Sequence, residues 1–227
     1  ACWIKDMASL GSSVLAGTGI VLKTSLDLNI FVAAKFLRKC LAFPSSPHYL
    51  AYARSIFDRI RAPDAFIFNT LIRSYLRSQT PVESLRLFAR MRLAAGVSPD
   101  SFSLSLALQA CGRSLQPITG EAVHANVVKL GFVSDLFVGT ALVEMYAKIG
   151  DVGTARKLFD LMPKRDLVAC NVMLAEYVGC GEISEARRLF DEMPRWDLVS
   201  WNTMIHGYAM NGEVGVAREM FDRSPER

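Results

Sequence analysis

One short segment recurs along this 227-residue chain at an interval of 31 residues. Three copies begin at Leu136-Phe-Val-Gly-Thr140, Leu167-Val-Ala-Cys-Asn171 and Leu198-Val-Ser-Trp-Asn202. A second segment repeats in step with the first, and its copies are Ala155–Asp160, Ala186–Asp191, Ala217–Asp222 and, more weakly, Ala53–Asp58. Self-similarity at this period is typical of a stacked repeat array, in which each unit buries its apolar face against its neighbours. The sequence therefore predicts one elongated body.

Each unit has the pattern of a helical hairpin. Helix A is predicted by an apolar stripe with helical spacing, which in one unit consists of Val138, Leu142, Met145 and Tyr146. Gly150 ends that helix, Asp151 can cap the next one, and Pro163 stops it. Helix B between them carries a second stripe, which consists of Val152, Ala155, Leu158, Phe159 and Met162.

One position of helix B is small in every copy. The residues at this position are Ala53, Ser84, Gly120, Ala155, Ala186 and Ala217. A small side chain is required where two helices cross at close distance, because a larger one would overpack the crossing. This position sets the units at 30–64, 65–100, 101–135, 136–166, 167–197 and 198–227, the last one truncated.

These units predict an all-α fold, a right-handed α-α superhelix built from helical hairpins. Residues 12–29 are expected to form a partial leading repeat, and residues 1–11 an irregular N-terminal segment. The chain begins without methionine and stops in the middle of a unit, so we interpret it as a fragment.

Composition excludes several classes of function. The longest uncharged run, Met7 to Leu22, is too short to span a bilayer and contains Gly, Ser and Thr, so no membrane association is expected. None of the five cysteines has C-x-x-C spacing, and Cys40 and Cys111 occupy positions where other units carry tyrosine, so we interpret these two as reduced core residues. A net charge of +4 is too small to indicate a polyanionic partner by itself.

No catalytic constellation is present in the sequence. His48, His124 and His206 lie on separate units, and neither the H-x-E nor the C-x-x-C of a zinc deaminase occurs. Nothing matches a nucleophile with its base or a glycine-rich phosphate loop. We therefore expect no enzymatic activity in this segment, no cofactor and no bound metal.

Several motifs together resemble one family. Phe68-Asn-Thr-Leu-Ile72, Trp201-Asn-Thr-Met-Ile205, the tails Leu189–Pro194 and Ser98–Asp100 and the alternating unit lengths are similar to those of plant pentatricopeptide-repeat proteins of the subclass that mixes standard, long and short repeats. The unit 101–135 resembles the long type, and 136–166 and 167–197 resemble short types. The pattern of tetratricopeptide repeats is absent. The resemblance implies binding of single-stranded RNA, with about one nucleotide per repeat.

The resemblance also implies which residues contact RNA bases. In the family these are the fifth and the last residue of each unit, which here pair as Ala34 with Asp64, Asn69 with Asp100, Ser105 with Asp135, Thr140 with Asp166, and Asn171 with Asp197, followed by Asn202. An asparagine amide offers a donor and an acceptor to a pyrimidine edge, whereas a hydroxyl leaves room for a purine. From the N-terminus, the expected pattern is any base, U, a weakly preferred purine, G, U and a pyrimidine.

Two further rows of residues are implied to contact RNA. The second residue of each unit would stack between successive bases, and these residues are Phe31, Phe66, Phe102, Phe137, Val168 and Val199. Core packing is the alternative for this row. The thirteenth residue would lie near phosphates in three units, as Arg77, Arg113 and Lys148, and the alternative there is a solvated helix end whose charge suits the helix dipole.

The sequence therefore predicts a monomeric RNA-recognition factor of a mitochondrion or chloroplast. It would act in transcript editing or processing, together with an enzyme that follows in the same protein or is recruited in trans. The alternative is a protein-binding helical scaffold. Aspartate at the unit end, paired with Asn, Ser or Thr at the fifth position, favours RNA, since a scaffold gives no evident reason for that pairing.

Overall fold

A computed structural model describes residues 47–224 of the chain. The segments 1–29 and 30–46, with Phe31, Ala34 and Cys40, lie outside the described residues. Residues 47–224 form eleven helices and no strand. The helices are α1 (Pro47–Phe57), α2 (Ala65–Leu76), α3 (Val82–Leu93), α4 (Ser101–Arg113), α5 (Pro117–Lys129), α6 (Leu136–Ile149), α7 (Val152–Leu161), α8 (Leu167–Gly179), α9 (Ile183–Glu192), α10 (Leu198–Met210) and α11 (Val214–Arg223).

Even-numbered helices are the A helices of the repeats, and odd-numbered helices are the B helices. Every A helix begins at the first residue of a unit defined from the sequence, at positions 65, 101, 136, 167 and 198. Gly150 ends α6 with a φ of 91°, a left-handed conformation that suits glycine, and Gly181 occupies the corresponding turn with a φ of 75°. Asp151 then caps α7 by accepting a hydrogen bond from the backbone N–H of Thr154.

The helices pack in two layers of different continuity. Each A helix contacts its own B helix and the A helices of the neighbouring units, and each B helix also contacts the following A helix. Within residues 47–224 the backbones of successive A helices approach each other closely, whereas the backbones of successive B helices do not. Side chains still join α1 and α3, as in the ion pair of Arg54 with Glu83. Because the B helices are further apart, the B layer follows the longer arc, and the array curves toward the A helices. The A helices therefore line the inner side of the array.

The core consists of the stripes that the sequence predicts. Val138, Leu142, Met145 and Tyr146 are buried in α6, and Ala155 and Phe159 are buried in α7. The small residue of helix B is buried in every described unit. A Cβ added to Gly120 would lie 2.6 Å from Sδ of Met145, which shows how closely α5 and α6 approach. The explanation of this position by close helix crossing is confirmed.

The difference in unit length lies partly in helix B. Helix α5 of the unit 101–135 has 13 residues, whereas α7 and α9 of the 31-residue units have 10 residues each. The additional turn keeps the same small position at the crossing. The all-α solenoid of helical hairpins predicted from the repeats is confirmed.

A recurring pair of residues joins successive hairpins. The guanidinium of Arg156 in α7 lies 4.5 Å from the ring centre of Tyr177 in α8 and forms an ion pair with Glu182. Arg54 and Arg187 occupy the same position of helix B, next to the small residue. Each interacts electrostatically with the tyrosine of the next A helix, Tyr75 or Tyr208. Where Leu85 replaces the arginine, the next A helix carries the buried Cys111 in place of tyrosine.

Candidate nucleic-acid interface

Each described aspartate at a unit end caps the helix that follows it. The carboxylates accept a hydrogen bond from the backbone N–H three residues later, and they belong to Asp64, Asp100, Asp135, Asp166 and Asp197. The distances to nitrogen run from 2.7 Å for Asp100 to 3.0 Å for Asp135. An A helix needs such an acceptor because its first N–H groups have no partner inside the helix.

This capping role corrects one argument from the sequence. Helix capping alone is a sufficient cause for the recurrence of aspartate at unit ends, so by itself this recurrence does not distinguish an RNA-binding array from a protein-binding scaffold. What remains informative is whether each capping aspartate contacts the fifth residue of its own unit.

Asn69 in α2 contacts the cap of the next A helix. Its Nδ2 lies 3.3 Å from Oδ1 and 3.5 Å from Oδ2 of Asp100. Its Oδ1 accepts a hydrogen bond from the hydroxyl of Ser103, at 2.7 Å. The Ser103 hydroxyl also lies 2.7 Å from Oδ1 of Asp100. The two ends of the amide are therefore held by the last residue of the same unit, Asp100, and by Ser103 of the following unit.

The same arrangement recurs one hundred residues further along the chain. Nδ2 of Asn171 lies 3.1 Å from Oδ1 and 3.3 Å from Oδ2 of Asp197. Its Oδ1 accepts from the hydroxyl of Ser200 at 2.8 Å. An amide nitrogen carries two hydrogens and an amide oxygen two lone pairs, so one donor and one acceptor of Asn171 have no partner in the described part of the chain.

Hydrogen bonding keeps both aspartates ionised. Partial burial alone would raise the pKa of Asp100, but the backbone and side-chain hydrogen bonds from Ser103, together with that from Asn69, outweigh it and lower the pKa below 3.8. The pKa of Asp197 is lowered in the same way, by Ser200 and Asn171 against the effect of burial. An ionised carboxylate only accepts hydrogen bonds, so the amide nitrogen of each asparagine must face it.

The hydroxyl residues at the fifth position are arranged differently. Ser105 and Thr140 donate to carbonyl oxygens of their own helices, those of Ser101 and Leu136, each at 2.9 Å. Within residues 47–224 neither hydroxyl forms a hydrogen bond with the aspartate at the end of its unit. The structure therefore brings two of the expected pairs into contact through hydrogen bonds and leaves two others apart.

The fifth position lies between adjacent A helices and is mostly covered. Asn69 is 6% exposed, and Ser105 and Thr140 are each 8% exposed. Asn171 is half-buried and Asn202 is exposed. The polar groups thus lie where successive units meet. In Asn69, Ser105 and Thr140 only a small part of the side chain is open to solvent.

The second position forms an exposed apolar row on the A helices. Its members are 55% exposed at Phe66, 48% at Phe102, 72% at Phe137, 54% at Val168 and 55% at Val199. Core packing, the alternative considered for this row, is therefore wrong. Since positions three apart on a helix are neighbours on one face, each of these side chains lies next to the fifth residue of its own unit.

The thirteenth position carries positive charge near the C-terminal end of three A helices. Arg77, Arg113 and Lys148 are all exposed. The guanidinium of Arg113 donates to the backbone carbonyl of Leu76 in the preceding unit, and Lys148 pairs with Glu144 in its own helix. Arg77 forms no ion pair with any residue between 47 and 224. The fifth and thirteenth positions are separated by about 12 Å along the helix axis, given a rise of about 1.5 Å per residue.

His124 and Cys111 have structural roles in the helical core. His124 lies with Nδ1 2.9 Å from the hydroxyl oxygen of Tyr146, and burial lowers its pKa. Cys111 is buried, and burial raises the pKa of its thiol to about 12, which confirms its interpretation as a core residue. In the described ranges, no cluster of three or more His, Cys, Asp or Glu residues could hold a metal, and no helix is long and apolar enough to cross a membrane.

Sequence reasoning missed two participants in these contacts. Ser103 and Ser200 are fully buried and are the third residues of the units that follow the asparagines. The signal was present as Asp-x-x-Ser, a capping-box pattern in which the aspartate and the serine each accept a hydrogen bond from the other's backbone N–H. The other three capping aspartates are followed at that position by Ile67, Val138 and Ala169, which have no hydroxyl.

Comparison with known proteins decides the family. The model of the pentatricopeptide repeat matches residues 66–94, 140–167, 168–198 and 199–227, together just over half of the chain. The chain belongs to the plant pentatricopeptide-repeat family. It is 41% identical over 149 residues to the pentatricopeptide repeat-containing protein At4g18840 of Arabidopsis thaliana, which is 66% of this chain and 27% of that protein. It is 37% identical over 151 residues to At1g08070, a protein of the same plant that is labelled chloroplastic, which covers 66% of this chain and 20% of that protein.

A solved structure shares the fold of this pentatricopeptide-repeat chain. The crystal structure of PPR10 from maize is similar over 94% of this chain and 36% of PPR10, with a TM-score of 0.54 and 18% sequence identity. The similarity therefore concerns the architecture of the helical array. The matched part of the chain spans a fifth to about a quarter of the length of the two Arabidopsis relatives described above.

Proposed function

We propose that this chain binds single-stranded RNA along its layer of A helices, with one nucleotide for each unit. The observation that carries the proposal is the exposed apolar row at the second position, from Phe66 to Val199, next to the polar fifth position of each helix. Stacking surfaces that alternate with hydrogen-bonding groups suit a strand whose bases are splayed apart.

The spacing of the A helices supports a single strand. Packed helices are about 8–10 Å apart, whereas stacked nucleotides of one strand are about 3.4 Å apart. If one base binds at every unit, the space between successive bases is therefore about as thick as an aromatic ring. The second-position side chain of each unit can fill that gap, which a base-paired duplex could not allow.

The residues proposed to contact RNA are those expected from the sequence. The base-contacting residues are Asn69, Asp100, Ser105, Asp135, Thr140, Asp166, Asn171, Asp197 and Asn202. The stacking residues are Phe66, Phe102, Phe137, Val168 and Val199, and the phosphate-contacting residues are Arg77, Arg113 and Lys148. The held amides of Asn69 and Asn171 give these two units the strongest base preference, for U.

The finer assignment follows from the unit lengths and the relatives. We assign the chain to the subclass with mixed repeat lengths, because its complete units have 35, 36, 35, 31 and 31 residues. Since one relative is labelled chloroplastic, we assign the protein to an organelle, where it recognises transcripts for editing or processing. Any catalytic step would be performed by another part of the protein or by a partner. PPR10 was also crystallised with an 18-nucleotide psaJ RNA element, but the proposal for this chain depends on its own residues.

The test compares two exposed apolar residues that lie in different helix layers. Phe137 lies on an A helix, and Leu161, which is 79% exposed, lies on a B helix. Phe137→Ala should weaken binding to a single-stranded RNA pool by about 1–3 kcal/mol, the value of one stacked base. Leu161→Ala should leave binding unchanged. Equal binding by both variants, or no binding of RNA by the unmodified protein, would exclude the A layer as an RNA site and favour a protein-binding scaffold.

A further inference from the structure

The two asparagine units share a third polar partner that the expected base-contacting pairs do not include. Ser103 and Ser200 each place a hydroxyl oxygen within 2.8 Å of the amide oxygen of the asparagine in the preceding unit. Both serines are fully buried. Neither side chain is accessible to a base, so any effect on recognition must act through the asparagine.

Orientation of the amide matters because uracil and cytosine present opposite patterns at neighbouring atoms. Uracil offers a donor at N3 and an acceptor at O4, whereas cytosine offers an acceptor at N3 and a donor at N4. An amide that matches uracil in one orientation must rotate by half a turn to match cytosine in the same position. An asparagine amide held in one orientation therefore binds one of the two pyrimidines more tightly than the other.

The serine supplies part of that restraint. With Nδ2 of Asn171 directed at the carboxylate of Asp197, Oδ1 faces the Ser200 hydroxyl, which donates to it at 2.8 Å. Rotation of the amide would place its oxygen against the carboxylate and would also remove the acceptor from the serine. The backbone N–H of Asp197 donates to the Ser200 oxygen at 3.2 Å, which holds the serine side chain beside the amide. The single hydroxyl proton is shared between the amide oxygen and Oδ1 of Asp197, which lies 2.9 Å away.

We propose that Ser103 and Ser200 are specificity-determining positioning residues, which favour uracil over cytosine by fixing the amide orientation of Asn69 and Asn171. The inference rests on the proposed function, since it concerns the same RNA site. It also implies that a unit acquires full uracil preference only if the following unit carries serine or threonine at its third position. Units followed by Val138 or Ala169 lack this element.

The experiment measures the ratio of the dissociation constants for two RNAs that differ by U or C at the nucleotide facing the unit 167–197. Ser200→Ala should reduce the preference for U roughly 2- to 10-fold, the factor that corresponds to one net hydrogen bond. Ser200→Thr keeps the hydroxyl and should retain the preference. A U-or-C exchange at the nucleotide facing the unit 65–100 serves as the control, because Ser200→Ala should leave the preference there unchanged.

A gain-of-function pair tests the same inference without removing a native contact. Thr140→Asn alone should give weak preference for U at its nucleotide, and Thr140→Asn combined with Ala169→Ser should give a preference roughly 2- to 10-fold stronger. Ala169 occupies the same third position of its unit as Ser200 does, and both residues are fully buried. Equal preference in the single and double variants would overturn the role of the serine.

The outcomes separate this inference from the proposed function. If Ser200→Ala weakens binding to both RNAs equally, or leaves the U-to-C ratio unchanged, the serine has only a capping role and the inference is overturned. If the unmodified protein binds RNA without preferring U at this nucleotide, the base assignment and the inference fail together. If it binds no RNA, the proposed function itself fails.

Discussion

The amide oxygen of Asn171 lies 2.8 Å from the hydroxyl oxygen of Ser200, across the boundary between two successive repeats. The serine belongs to the first turn of the next A helix, and Asp197 caps that turn. A polar group proposed to contact a base is thus connected to the start of the following helix. Two such connections, with Asn69 and Asn171, distinguish their units from those with Ser105 and Thr140.

Acid should weaken the fold through the capping aspartates. The pKa of Asp197 in the folded chain lies below the ordinary value of 3.8. Because the folded pKa is the lower one, the stabilisation is present above pH 3.8 and is lost as the pH falls through the folded value. Asp197→Asn keeps a capping side chain but does not titrate. The melting temperature of this variant should therefore fall less between pH 5 and pH 2 than that of the unmodified protein; parallel curves would contradict the assignment.

Overpacking the small position should destabilise the array. Ala186 is fully buried in α9, and a Cβ at its counterpart Gly120 would require the side chain of Met145 to shift. Ala186→Leu should cost roughly 1–3 kcal/mol in the free energy of unfolding. The matched control is Ala175→Leu, at an exposed position of α8, which should change stability little. Denaturant unfolding of both variants provides the measurement, and equal stability would refute the close crossing.

The arginine and tyrosine that join successive hairpins should be energetically coupled. Arg156 stacks on Tyr177 with 4.5 Å between the guanidinium carbon and the ring centre. A double-mutant cycle with Arg156→Ala and Tyr177→Leu should give a coupling free energy of roughly 0.5–1 kcal/mol. The same cycle with Lys157, an exposed neighbour on α7, in place of Arg156 should give none. Additive effects in both cycles would show that the stacking does not contribute to stability.

Phosphate contact should appear in the salt dependence of RNA binding. Arg77 is exposed and forms no ion pair within the described residues, so it is the cation of its row most available to a phosphate. Each phosphate contact to a single strand contributes about 0.7 to the slope of log K against log salt concentration. Arg77→Ala should reduce the slope by about that amount, whereas Lys157→Ala on a B helix should not. A slope unaffected by Arg77→Ala would place the strand elsewhere.

The sequence repeats were sufficient to predict the fold, but they did not reveal the contacts that join the candidate RNA site of one unit to the next unit. The helical hairpin, its apolar stripes and the small position of helix B follow from the spacing of apolar residues, since every unit packs against its neighbours in the same way. The contact between Asn171 and Ser200 joins two units, and no spacing rule within one unit reveals it. The aspartates are ambiguous in sequence because capping and RNA contact both favour an ionised carboxylate at a unit end. The exposure of Phe137 could not be read from periodicity, because an apolar residue next to a buried stripe fits either surface.

The most direct measurement compares base preference at one nucleotide before and after a single exchange. The unmodified protein should bind an RNA with U facing the unit 167–197 more tightly than the same RNA with G at that position. Asn171→Thr should shift the preference toward G, because threonine is the fifth residue of the unit expected to favour G. If the two proteins show the same preference, or if neither distinguishes the two RNAs, then the polar fifth residues do not contact bases.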